Sequence, residues 1–312
     1  MIEVQQLTKR YGDRLAVDDL NFAVRPGVVT GFLGPNGSGK STTMRMIMGL
    51  DAPTSGQALI NGSTYDKLRW PLREVGALLE AKAIHPSRSA FNHLWMLAQT
   101  NDIPRARVTE VLDLVGLHDV AHRRAGKFSL GMGQRLGIAA VLLGNPAVML
   151  FDEPINGLDP EGIRWVRTLL QGLAADGRTV LVSSHMMSEM ALTAQDLIVI
   201  GRGKLISAGP TSEFIRQNSE QSVRASTPTP GPLRTALVAA GANVAEDSDD
   251  TLRITGVTAA FVGDTAAERH ITLHELSTQL ASLEEAFMGL TADSIEYRGI
   301  TTDPITQEAG QR

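Results

Sequence analysis

The stretch VVTGFLGPNGSGKSTTMRMIMGL, residues 28–50, decides the fold. Its first part, Val28–Gly34, is a β-rich apolar run ending in glycine, and its last part, STTMRMIMGL, carries a helical apolar pattern. Between them GPNGSGKS (Gly34–Ser41) fits G-x-x-x-x-G-K-[ST]. The glycines of such a loop let backbone N–H groups turn inward around phosphate oxygens. Lys40 can then reach β- and γ-phosphates and Ser41 can ligate Mg²⁺. The following helix presents its positive dipole end to the anion. An ordinary glycine-rich turn lacks this context of a strand before and a helix after.

Working outward, AVMLF (Ala147–Phe151) and TVLVSS (Thr179–Ser184) are continuous apolar runs of the kind found in strands buried on both faces of a parallel sheet. DLIVIGRGKLISAGP reads as a β-hairpin turning at Arg202–Gly203, and helical patterns such as Ile163–Ala175 lie between the strands. Strands alternating with helices predict an α/β fold. Ser89–Leu117 has helical segments and no clear strand, so residues of about 85–145 read as a helical insertion. Composition changes near residue 220, where ASTPTPGP breaks the pattern. Beyond it the order is strand (Ser222–Ser226), helix (Leu233–Ala240), two strands (the second Thr251–Thr255), helix (Thr258–Ala267) and strand (Ile271–Leu273), with EDSDD as a solvated turn. That order predicts a small α+β unit of ferredoxin-like βαββαβ type. The expected organisation is a main domain over 1–218, a C-terminal regulatory or dimerisation domain over 219–290, and a polar tail over 291–312.

Two further stretches carry chemistry. VMLFDEP puts Asp152 and Glu153 where a buried strand ends, the edge at which open α/β sheets collect ligands. Asp152 can hold Mg²⁺, directly or through water, and Glu153 can accept a proton from an attacking water. FSLGMGQR (Phe128–Arg135) is a glycine-bearing loop before the apolar run LGIAAVLLG, a second candidate phosphate loop without a lysine of its own.

Composition sets bounds. In 312 residues, 43% are hydrophobic and 20% charged, enough for a large core and against global disorder. The net charge of −5, with no broad basic patch, argues against a nucleic-acid partner. Absence of cysteine excludes disulfides and thiolate metal sites. The N-terminus lacks a signal-like apolar segment, and the longest apolar run, LGIAAVLLGNPAVMLF, is broken by Asn145 and Pro146. The expectation is a soluble chain whose membrane span, if needed, comes from another protein. The pairs His118/His122 and His270/His274 lack a third ligand and read as solvated or core histidines.

Taken in order, these motifs resemble the nucleotide-binding subunits of ATP-binding-cassette (ABC) transporters, and most closely the exporter-type ATPases that serve separate permeases, often in drug or antibiotic resistance. The resemblance covers about residues 1–215 and implies a P-loop NTPase cassette with a helical insertion. Gly34–Thr42, with Pro35, Asn36, Gly37, Ser38, Gly39, Lys40, Ser41 and Thr42, matches the Walker A loop. Tyr11 in KRYG matches the aromatic that stacks on adenine. FSLGMGQR matches the signature motif, in which Ser129 and Gly131 contact a γ-phosphate. Asp152 and Glu153 match the Walker B aspartate and the catalytic glutamate. Asp159 in NGLD matches the D-loop, and His185 in SSHMMSE the switch histidine.

Two positions depart from the family pattern. Glu80 stands where glutamine is usual, on the Mg²⁺ side of the site. Leu130 and Met132 replace the first glycine and the glutamine of the commonest signature. The resemblance further implies ATP and Mg²⁺ as cofactors, a second ATPase subunit (a homodimer), an integral-membrane permease, and a peripheral place on the cytoplasmic face of the membrane. The lysine-free loop then makes sense as half of a site whose Lys40 belongs to the partner. Rival readings are a soluble ABC ATPase of translation or repair, an importer ATPase, and a binding module without turnover. One uninterrupted cassette, and the presence of both Glu153 and His185, disfavour the first and the last. SLEEAFMGLT (Ser282–Thr291) resembles an element ending many such exporter ATPases, with Leu283, Ala286, Phe287 and Leu290 on one helical face.

Overall fold

A computed structural model of the chain describes residues 1–80, 84–218, 222–248, 250–279 and 282–291. Strands β1 (Ile2–Tyr11) and β2 (Arg14–Val24) form an antiparallel pair, and β3 (Val29–Leu33) runs through the glycine loop into α1 (Lys40–Ile47). β4 (Ser55–Ile60) returns beside β1, completing a three-stranded sheet ordered β2-β1-β4. The short α2 (Pro71–Glu74) and β5 (Val75–Leu78) lead into the helical stretch α3 (Ala90–Gln99), α4 (Arg105–Leu114) and α5 (Leu130–Leu142). Then come β6 (Val148–Asp152), α6 (Pro160–Ala175), β7 (Thr179–Ser183), α7 (Met187–Thr193), β8 (Asp196–Gly201), β9 (Lys204–Pro210) and α8 (Thr211–Asn218).

The main sheet has six strands ordered β5-β6-β7-β3-β8-β9, parallel except for the edge strand β9. Its central strands are apolar in both registers because both faces are covered. Met149 and Phe151, Val180 and Val182, and Leu197 and Val199 face the helical side. Val148, Leu150, Leu181, Ile198 and Ile200 face α1 and the antiparallel sheet, where Phe22 meets Phe32 at 5.7 Å between ring centroids. Gly31 in β3 is demanded by close approach, since a Cβ there would lie 2.6 Å from Met190 Sδ of α7. The β8–β9 hairpin turns at Arg202 and Gly203 as expected, with φ of 49° and 80°, the left-handed pair that suits a two-residue turn.

The C-terminal unit runs β10 (Ser222–Ser226), α9 (Pro230–Ala239), β11 (Asn243–Ser248), β12 (Thr251–Thr255), α10 (Ala259–Glu268), β13 (Glu275–Gln279). Its sheet is antiparallel throughout and ordered β11-β12-β10-β13, the ferredoxin-like arrangement, over a core of its own that includes Leu233, Leu237, Leu252 and Ile254. Two readings need correction. The last strand lies at Glu275–Gln279, not Ile271–Leu273, because only the later segment registers against β10, Ser226 opposite Glu275. Ile271 and Leu273 instead pack as loop residues on the core. The acidic stretch EDSDD is also not all turn, since Glu246–Ser248 extend β11 along β12.

The closing helix α11 (Leu283–Thr291) uses the face expected of it, but against α7 and α8: Leu283, Ala286 and Phe287 join the buried cluster that holds Phe214 and Met190. Arg253 of β12 also pairs with Glu285 at 3.3 Å, so the helix touches both parts of the chain. The tail expected over 291–312 falls, apart from Thr291 at the end of α11, outside the described residues.

Phe151 is fully buried in the parallel sheet, one residue before Asp152. Phe151→Ala is expected to lower stability by about 3–5 kcal/mol, read as an earlier midpoint in urea unfolding.

Candidate functional site

The glycine loop follows β3 and ends at the N-terminus of α1, whose N-cap is Gly39 in the left-handed region at φ 105°. Any side chain there would strike Ala16 O at 2.7 Å, and a Cβ on Gly34 would lie 2.5 Å from Ile200 O. The cradle is thus too tight for anything but glycine at both positions. Lys40 Nζ donates to the loop's own carbonyls, Gly34 O at 2.5 Å and Pro35 O at 3.1 Å. Burial lowers the Lys40 pKa below its ordinary value, and the nearby Glu153 and Asp152 carboxylates oppose that shift. Among the described residues the buried Ser38 Oγ has no hydrogen-bond partner.

Across the loop, β6 delivers the acidic pair. Ser41 Oγ donates to Asp152 Oδ2 at 2.8 Å. Strand register sets Ser183 of β7 opposite Asp152, and its hydroxyl donates to Asp152 Oδ1 at 2.5 Å while accepting from Glu153 N at 3.0 Å. Glu153 itself sits at φ 52°, a left-handed conformation unusual for a residue with a side chain. His185 follows β7, and its Nδ1 lies 2.8 Å from Glu153 Oε2.

A cavity of about 550 Å³ connects these groups: it is lined by Asn36–Thr42, Asp152, Glu153 and, at its rim, Tyr11, Arg14 and Ala16. Tyr11 is 47% exposed, and its hydroxyl donates to Asp51 Oδ2 at 3.0 Å. Lys9 Nζ stands 4.9 Å from the centre of the Tyr11 ring, and Arg45 Nε binds Asp51 at 2.8 Å. The Arg45 guanidinium holds the Asp51 pKa below the usual carboxylate value.

Other expected site residues lie elsewhere. Ser129 caps α5, accepting from Met132 N at 3.2 Å, and lines a separate hollow with Phe128, Leu130 and Pro86. Gly131 and the D-loop pack against each other, with a Cβ on Gly131 falling 3.3 Å from Leu158 Cδ2. Asp159 caps α6 by accepting from Gly162 N at 2.9 Å, ahead of Pro160 at the first helical position. Glu80 follows β5 and lines a third hollow with Arg45, Tyr65 and His93, not the cavity around Lys40. Thus one chain brings together Lys40, Ser41, Asp152, Glu153, His185 and Tyr11, but not Ser129, Gly131 or Glu80.

His118 bonds Asp113, and the His122 ring lies 5.6 Å from that of Phe91. Among the described residues no group of three or more His, Asp or Glu gathers as a metal site, and no helix is long and apolar enough to cross a membrane. Nothing in the local sequence points to the contacts of Ser183 with Asp152 and Glu153 or of Asp51 with Tyr11 and Arg45, which strand register and loop packing create.

A family model described as ABC transporter matches residues 17–156, and one described as a domain of unknown function matches 221–284. An uncharacterised ABC transporter ATP-binding protein of Bacillus subtilis is 34% identical over 307 residues, covering 95% of this chain and 97% of that protein. The bacitracin transport ATP-binding protein BcrA of Bacillus licheniformis is 41% identical over 221 residues, 70% of this chain and 72% of that one. The lantibiotic transport ATP-binding protein SrtF of Streptococcus pyogenes is 35% identical over 206 residues, 66% and 89% of the two chains. Among solved structures, an ATP-binding subunit of an ABC transporter superposes with a TM-score of 0.64 at 26% identity, covering 70% of this chain and 92% of that one. A dimeric bacterial ABC transporter cassette gives 0.62 at 26% identity, covering 67% and 98%.

Ser183→Ala removes a buried hydroxyl that serves both acidic residues. It is expected to cost about 1–3 kcal/mol of stability, measured by urea unfolding, and to lower ATP turnover more than ATP affinity.

Proposed function

We propose, for a chain that belongs to the ATP-binding proteins of ABC transporters, the family that hydrolyses ATP to power transport, that it is the ATPase subunit of an exporter and works as a homodimer closed on two ATP·Mg²⁺. The observation that carries this reading is the 2.8 Å contact between Ser41 Oγ and Asp152 Oδ2, with the Glu153–His185 pair beside it and Lys40 in the same loop. A hydroxyl and a carboxylate at that distance are hard-oxygen donors suited to Mg²⁺, which keeps waters and substrate oxygens in its other positions. Ser41 and Asp152 would hold the ion, and it would neutralise charge on the phosphates.

In the proposed cycle Lys40 exchanges its loop carbonyls for the β- and γ-phosphate oxygens. The loop N–H groups between Gly34 and Thr42 wrap the triphosphate, and Tyr11 stacks on the adenine. Glu153 accepts the proton of an in-line water, while His185 orients that carboxylate and the γ-phosphate. Ser129 and Gly131 of the second subunit cap the γ-phosphate, and Asp159 lies at the seam between subunits. Glu80 joins the Mg²⁺ side only after moving from its place beside Arg45. Closure around the nucleotide is the output that drives the permease.

The cargo is proposed to be a drug, a peptide antibiotic or a lipid-like compound, moved by a separate integral-membrane permease with this chain on the cytoplasmic face. The relatives named for bacitracin and lantibiotic transport support that class.

Glu153→Gln is expected to cut steady-state ATPase activity by about 100-fold or more while ATP binding survives, with an ATP-dependent dimer on sizing. Full turnover in that variant would remove Glu153 as the base. Glu80→Ala is expected to weaken the Mg²⁺ dependence and the permease-stimulated rate, and normal values of both would end its assigned role. A deletion strain should become more sensitive to bacitracin or a lantibiotic, and unchanged sensitivity to peptide antibiotics would count against that cargo.

A further inference from the structure

The residue that would act as base has a left-handed backbone, and one of the groups that hold it comes from the signature helix. Glu153 adopts φ 52°, and its carbonyl accepts Gln134 Nε2 at 3.0 Å as well as Asn156 N at 3.3 Å. Its amide donates to Ser183 Oγ at 3.0 Å. Both backbone groups of a strained residue are thus held by side chains from other elements. Gln134 is 3% exposed, so its amide has no access to bulk water as a substitute partner. A left-handed residue with a side chain is strained and persists only where its surroundings over-determine it.

Gln134 lies on α5, whose N-cap is Ser129. The same helix end presses on the D-loop, where a Cβ on Gly157 would collide with Leu130 Cδ2 at 2.1 Å. One rigid helix therefore carries the signature at its tip and a clamp on the catalytic strand end one turn later.

From this geometry we infer that Gln134 is a positioning residue, which holds the Glu153 carboxylate in line through its backbone carbonyl and ties that alignment to the placing of the signature. The inference rests on Glu153 being the base. In the dimer proposed above, where the signature of each subunit would face the partner's nucleotide, a shift of α5 on engaging that nucleotide would be transmitted to this subunit's own Glu153. Gln134 touches no nucleotide in this scheme, so its removal should spare ATP affinity.

The test uses the full-length chain. Gln134→Met keeps the volume and removes the donor, and Gln134→Leu serves if the first variant misfolds. The expected result is a kcat lowered about 10- to 100-fold, the loss typical of a misplaced catalytic group. KM for ATP should stay within about twofold, and the ATP-dependent dimer should persist on sizing, as in Glu153→Gln. A residue that merely stabilised the fold or the signature contact would instead raise KM and lose the dimer. Either of those results, or a normal kcat, overturns the inference. Turnover persisting in Glu153→Gln would sink the base assignment, whereas loss there with normal kcat in Gln134→Met sinks the positioning role alone.

Discussion

One hydroxyl, that of Ser183, sets the acidic end of the site. It donates to Asp152 and accepts from the amide of Glu153, so two adjacent carboxylate residues are fixed by a single group on the next strand. That contact exists because β6 and β7 are parallel neighbours with Asp152 opposite Ser183. Shifting the register by one residue would turn the neighbouring side chains to the other face of the sheet. Val148 to Phe151 and Val180 to Val182 pack into the cores on both faces of the sheet, and that packing holds the strand ends in place.

Charge balance explains the rest of the arrangement. Lys40 is partly buried, which works against its positive charge, and Asp152 and Glu153 work in its favour. In the structure its ammonium is satisfied by the carbonyls of Gly34 and Pro35, so the loop wraps a cation of its own. A triphosphate brings anionic oxygens to the same place, where loop N–H groups and the start of α1 favour negative charge. Beside Leu130 and Met132, Ser129 caps α5 by accepting from Met132 N.

The motifs that stand on contiguous residues were legible from the chain. Gly34–Ser41 announced a strand, a tight loop and a helix, and all three are present. Apolar runs at 147–151 and 179–184 announced buried strands, and the βαββαβ order announced the four-stranded C-terminal sheet. The misplaced last strand shows the limit. Ile271 and Leu273 are the more strand-like residues, yet hydrogen bonding to β10 selected Glu275–Gln279, because pairing depends on where the partner strand lies as well as on local propensity.

By itself the sequence determined the kind of site: glycines that only a close backbone approach requires, a lysine and a serine at the head of a helix, two carboxylates at a strand end, and a signature without a lysine. These depend on local spacing, and local spacing is written in the chain. Tertiary structure alone decided which groups act on one another. Ser183 meets Asp152 through strand register, Gln134 of α5 reaches the carbonyl of Glu153 just past the end of β6, and α11 settles on α7 and α8. Such contacts join residues 19 or 31 positions apart, as for Gln134 and Ser183, and the packing of whole elements sets those distances.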